Sequence, residues 1–201
     1  MELKKRKVLY LAPVILSIAI TALPLLTTKW IDLEKSLYLM YVTEFILGLW
    51  ILIYIYKSNL RIGNLKVLLT CLLLILFIQV VIYAKREPSF EALHIPNDYI
   101  IPYFFAIFVV PFYEECIYRG CLVDFFCNIF KGNLILSIVL SSGIFCGMHT
   151  QYTGLLNFAV LFIVSMIFSF SRIKSGSLLS PMLLHSSMNA FVILLSNLSV
   201  F

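Results

Sequence analysis

Six residues in the second half of the chain combine side-chain types and spacings that can support hydrolysis or proton transfer: Glu114, Glu115, Arg119, His149, His185 and Asn189. All fall within apolar runs, where an ionisable group is costly and normally faces a bundle interior or a wet cavity. Glu115 and Arg119 stand i, i+4 with the glutamate first, the favoured order for a helical ion pair. That pair is expected to be structural, holding helices together and orienting the carboxylate beside it. Glu114, about 100° round the same helix, is then the unpaired carboxylate and the natural general base. His185 and Asn189 are again i, i+4 and leave one helix from one face. A single buried histidine would be read as a satisfied core residue. Two of the chain's three, accompanied by Glu114 and Asn189, point to a site.

The residues alone leave several chemistries open. A general-base hydrolase would use Glu114 on a water and the other groups on the developing oxyanion. A zinc hydrolase would take Glu114, His149 and His185 as ligands. There is no HExxH, and only Glu115 would remain as base. A proton or ion path also uses intramembrane Glu and His, but internal repeats and paired broken helices are absent from the sequence. A non-catalytic interaction protein is the fourth reading. Two further acids lie in apolar segments. Glu44 is expected to pair across helices or reach water, and Asp124, close to a helix end, to be solvated or paired with Lys131.

The elements that must position these groups are membrane helices. Of the 201 residues, 62% are hydrophobic and 12% charged, against about 45–50% and about 25% in soluble domains. A water-soluble globular fold is thereby excluded. Apolar segments are read at roughly 8–27, 37–56, 67–84, 99–130, 133–149, 152–170 and 178–201, each near the length a bilayer core of about 30 Å requires. The fold expected is all-α, a polytopic membrane helical bundle of about seven transmembrane helices. Residues 1–98 supply three N-terminal helices and residues 99–201 a core of four helical segments.

Charge fixes the expected orientation as N-in, C-out. Lys4–Lys7, Lys57, Arg61, Lys66, Lys131, Arg172 and Lys174 fall on one side. The other side receives a mixture that includes Lys29, Asp32, Glu34 and Lys35, then Lys85, Arg86, Glu87, Glu91 and Asp98. The basic N-terminus resembles a signal peptide, but the apolar run after it is expected to be a retained first helix. The net charge of +5 comes from these short clusters, a membrane pattern and not a nucleic-acid-binding stripe. The five cysteines form no CxxC pair and read as small buried hydrophobes. Pro111 predicts a kink one turn before Glu114.

Residue counts give depth. Glu114 lies 17 residues before Lys131 and His149 lies 18 after it, so in an antiparallel hairpin both stand about 25 Å from that turn. His185 is nine residues beyond Gly176, about 13 Å by the same rule. Either the 131 turn protrudes or the 171–180 connection dips inward.

Three patterns occur in order: Glu114-Glu115-Cys-Ile-Tyr-Arg119, Phe145-Cys-Gly-Met-His149 and His185-Ser-Ser-Met-Asn189. They resemble the EExxxR, FxxxH and HxxxN motifs of the CPBP family, the CAAX proteases and bacteriocin-processing or immunity proteins also called Abi. The approach Lys174-Ser-Gly-Ser-Leu-Leu-Ser-Pro-Met-Leu-Leu-His185 is similar too. The resemblance covers roughly residues 99–201. Asp124 stands where a basic residue is common, and Cys146 lies inside the second motif; neither removes a motif position.

The resemblance implies an intramembrane endopeptidase, a hydrolase of the CAAX prenyl protease type 2 kind. Glu114 would be its base, with His149 holding the water and His185 and Asn189 donating to the oxyanion. Glu115 and Arg119 would support them, and no cofactor is expected. The implied partners are the lipid bilayer and a membrane-anchored substrate: a prenylated C-terminus, a pheromone or a bacteriocin leader. The expected location is a bacterial cell membrane. Bacteriocin immunity without catalysis is the alternative on the same scaffold.

Overall fold

A computed structural model describes residues 2–85, 89–90, 97–151 and 154–200. Helix α1 (Glu2–Thr21) is followed by the short α2 (Leu23–Thr27). Helix α3 (Leu33–Trp50) runs on as a π turn over Ile51–Ile55. Then come α4 (Leu65–Ala84), a composite helix α5 (Ile100–Ile129), α6 (Leu134–Met148), α7 (Leu155–Ser175) and α8 (Leu179–Asn197). A two-residue antiparallel pairing, Ser89 with Val200 and Phe90 with Ser199, is the sole sheet contact among the described residues. Arg86, Glu87 and Glu91 lie outside the described residues.

The all-helical polytopic bundle expected from the apolar runs is what the chain forms. Among the described residues, six helices are long and apolar enough to cross a membrane. The seventh, α6, has 15 residues and so reaches only about 22 Å, short of a bilayer core. Polar caps shift the ends away from the apolar runs. Asp32 opens α3 by accepting from the Lys35 amide at 2.8 Å, and the Lys35 ammonium at 2.7 Å holds its carboxyl below the usual range. Asn64 and Asn133 cap α4 and α6 the same way. Helix α7 runs past its apolar stretch to Ser175 and stops at Gly176, whose φ of +66° is left-handed.

Much of the outer surface is apolar, with Leu73, Phe77, Ile135 and Leu155 exposed as a lipid-facing bundle requires. Inside, one cluster joins Val14, Leu47 and Ile51 to Cys116, Ile117 and Phe145. A second joins Cys71 and Ile75 to Val164, Phe168 and Leu184. Four of the five cysteines are buried, Cys127 is half-buried, and all are free thiols.

The irregularity predicted at Pro111 takes the form of π-helical turns, not of a simple break. Phe105–Val109 and Glu115–Leu122 are both π-helical, and the Val110 N–H reaches back five residues to Phe105 O. Glu44 pairs across helices, accepting from Ser17 Oγ at 2.8 Å. Asp124 corrects the expectation. Its partners are Arg172 Nη2 at 2.7 Å and Tyr56 Oη at 2.8 Å, not Lys131 or solvent. The last turns of α7 run beside α5, so Arg172 reaches the carboxylate from another helix.

At the same end of the bundle, segment 59–62 lies over the α7–α8 turn. Asn59 Nδ2 donates to Gly176 O, the Arg61 amide to Ser177 Oγ, and Ser180 Oγ to Ile62 O. Ser177 and Leu178 are buried beneath it, whereas Lys131 and Gly132 are exposed.

Gly63 makes that closure fit. Its φ is +70°, and a Cβ there would lie 2.6 Å from Ser175 Cβ and 2.7 Å from Ser175 Cα. Gly63→Ala should lower the unfolding midpoint in detergent, with a cost of about 1–3 kcal/mol for overpacking beyond its backbone strain. Gly132→Ala, also at positive φ but with nothing within 4 Å, should cost less. Equal shifts for both would mean that the lid over the α7–α8 turn is not tightly packed.

Candidate active site

The site is built around an ion pair inside the π-helical stretch of α5. Glu115 and Arg119 are 0% and 1% exposed, and Arg119 Nη1 lies 3.1 Å from Glu115 Oε1. Arg119 Nη2 donates to Ser165 Oγ on α7 at 2.8 Å. The guanidinium sits between two rings, 4.1 Å from the centroid of Phe145 and 5.1 Å from that of Phe168, close enough for cation–π attraction. Ser141 Oγ donates to Tyr118 O at 2.8 Å, pinning α6 to the same stretch.

Three of the groups around Arg119, namely Glu115, Phe145 and Phe168, also touch a histidine. Glu115 Oε1 is 2.8 Å from His185 Nδ1, and the Phe168 ring stacks on His185 with centroids 5.0 Å apart. Phe145 packs on His149 with centroids 4.2 Å apart, and its carbonyl is 2.8 Å from His149 Nδ1. A carbonyl only accepts, so His149 carries a proton on Nδ1. The arginine-paired carboxylate fixes the same tautomer on His185. Both rings therefore turn Nε2 inward.

What they face is Glu114. His149 Nε2 is 3.9 Å from Glu114 Oε1, and His185 Nε2 is 3.9 Å from Glu114 Oε2. Glu114 is buried, and its Oε2 has no hydrogen-bond partner among the described residues. One carboxylate thus lies between two imidazoles at separations too long for direct hydrogen bonds and suited to a bridging water.

Asn189 is held one helical turn beyond His185. Its Nδ2 donates to Ala106 O at 2.8 Å. In the five-residue register of the adjoining π turn, the N–H of residue 111 would serve that carbonyl. Residue 111 is proline and has none, so Asn189 supplies the missing donor. The second amide hydrogen of Asn189 remains for other work.

The three residues considered as zinc ligands come together, each histidine Nε2 lying 3.9 Å from a Glu114 oxygen. Among the described residues no group of three His, Cys, Asp or Glu side chains is arranged to hold a metal. Four residues of the arrangement were not singled out from sequence as site residues: Phe145, Ser165, Phe168 and Ala106. Phe145 is legible as the first position of FxxxH. Ser165 and Phe168 lie in the middle of α7 and Ala106 in an apolar stretch of α5, where the local sequence does not single them out.

The two adjacent glutamates are thus unequal in structure. Glu115→Gln strands the Arg119 charge and should cost about 3–5 kcal/mol, visible as reduced thermal stability and membrane level. Glu114→Gln removes no ion pair to an arginine and should leave both near wild type. Stability should return in large part in Glu115→Gln/Arg119→Met. Indistinguishable stabilities for the two single variants would contradict the assignment.

Comparisons with known proteins fall on this half of the chain. Residues 95–191 match the family model described as Rce1-like, type II CAAX prenyl endopeptidase. An 88-residue stretch is 36% identical to an Escherichia coli protein named "Uncharacterized 24.3 kDa protein", covering 44% of this chain and 41% of that protein. The match thus spans less than half the length of that curated relative. No solved structure matches. All six residues of the site lie within the matched stretch, in agreement with the resemblance read from EExxxR, FxxxH and HxxxN: it is residues 95–191 that are similar to the Rce1-like type II CAAX prenyl endopeptidase family.

Proposed function

We propose that the protein is a glutamate-dependent intramembrane endopeptidase that cleaves a membrane-associated protein or peptide. The observation that carries this is the placement of Glu114 between two inward-facing imidazole nitrogens, each 3.9 Å away. A water held by Glu114 and His149 gives its proton to Glu114 as its oxygen attacks the scissile carbonyl. The tetrahedral oxyanion receives hydrogen bonds from the free amide hydrogen of Asn189 and from His185 Nε2. With Nδ1 already committed to Glu115, His185 reaches the oxyanion through Nε2 when that nitrogen carries a proton. Glu114 then returns its proton to the leaving amine, and the C–N bond breaks.

The family description makes a prenylated C-terminus the first substrate to try. A pheromone or bacteriocin leader offers the same chemistry, a peptide bond beside a membrane anchor. The proposed compartment is a bacterial cell membrane, the source of the relative being Escherichia coli. The division 1–98 and 99–201 is proposed to separate helices that shape the bundle from those that carry chemistry.

An internally quenched peptide ending in farnesyl-cysteine and three further residues provides the test. Glu114→Gln should abolish its cleavage. Asn189→Ala should lower kcat about 10²–10³-fold with little change in KM, as expected of an oxyanion donor. Wild-type activity should survive 1,10-phenanthroline. Chelator-sensitive activity restored by zinc would overturn the mechanism. A protective phenotype kept by both variants, with no cleaved product from wild type, would favour the immunity protein.

A further inference from the structure

A cavity of about 380 Å³ opens between α4, α5, α7 and α8, one turn along α8 from His185. Its walls are mostly aliphatic, but three carboxamides line it: Gln79 from α4, Asn157 from α7 and Asn189 from α8. Only Asn189 belongs to the site described above. From these observations we infer that Gln79 and Asn157 form a subsite that binds the unwound backbone of the substrate beside its scissile bond; this rests on the peptidase reading.

An intact helix pairs its own backbone groups and has no use for three carboxamides. An extended chain and a hydrocarbon chain are the guests left to compare.

Chemistry separates those two. An extended backbone at membrane depth exposes N–H and C=O groups that lipid cannot satisfy. A carboxamide presents one donor group and one acceptor, the complement of a peptide unit. A hydrocarbon chain makes no hydrogen bond with any of them. Position agrees, because Asn189 lines the cavity and stands one turn from His185. A backbone leaving the cavity past Asn189 therefore arrives at Glu114 and its two histidines.

The test is a coupling cycle between enzyme and substrate. The probe is the farnesylated peptide carrying a fluorophore, together with versions in which single backbone amides flanking the scissile bond are replaced by esters. Binding is measured on the Glu114→Gln protein, with and without Gln79→Leu or Asn157→Leu, in parallel with cleavage by the Glu114 forms. Each leucine variant should raise the Kd of the amide probe about 5–10-fold, the scale of one hydrogen bond. For one ester position the leucine variant should add no further loss, the signature of a shared bond. Strictly additive losses at every position, or unchanged or tighter binding in the leucine variants as for a hydrocarbon guest, would overturn the inference. So would no binding to any form. Cleavage without coupling would sink the subsite and leave the peptidase standing; coupled binding without cleavage would do the reverse.

Discussion

Arg119 is charged, has 1% of its side chain exposed, and lies among the helices of the second half of the chain. A guanidinium there is tolerable only if its charge and its hydrogen-bonding edges are met by protein. Glu115 meets the charge, Ser165 meets one edge, and the faces are covered by Phe145 and Phe168. Those partners come from α5, α6 and α7, so satisfying one buried cation fixes the relative placement of three helices. Glu115 and Phe168 then hold His185, and Phe145 holds His149. The two imidazoles that flank Glu114 are oriented by groups whose first task is to accommodate Arg119.

A second constraint acts through the backbone. Lipid offers no donor for a freed carbonyl, so a proline in a membrane helix must be compensated from within. Pro111 stands three residues before Glu114, and the chain answers with π turns on both sides and with the Asn189 amide on Ala106 O. Residue 189 thus serves the fold of α5 with one hydrogen and stays available to a reacting group with the other. Glu114 and Glu115, neighbours in sequence, meet different partners because successive residues leave a helix about 100° apart, and all eight residues of the π stretch that begins at Glu115 are buried.

The apolar runs made the helices legible, and the spacing of charges inside them made the site legible. Glu115 with Arg119, and His185 with Asn189, lie on single helix faces whatever the tertiary arrangement. What could not be read was whatever depends on which helices touch. Arg172 reaches Asp124 across helices 48 positions apart, and no local pattern marks that pairing against Lys131, seven residues away. The burial of the turn at 176 rests on serine and backbone contacts with 59–62, between segments more than 110 positions apart. Ser165 and Phe168 share the ordinary composition of the helix that carries them.

The central claim is that the Glu115–Arg119 pair sets the His185 ring so that Nδ1 is protonated and Nε2 faces Glu114. Nitrogen-15 magnetic resonance on histidine-labelled protein in lipid reads this directly, since the chain has three histidines and His94→Gln leaves two signals to assign. The account predicts a protonated, hydrogen-bonded Nδ1 on both His149 and His185, with Glu115→Gln altering the His185 signal and leaving that of His149 in place. A His185 ring protonated only at Nε2, or a His185 signal indifferent to Glu115→Gln, would contradict it.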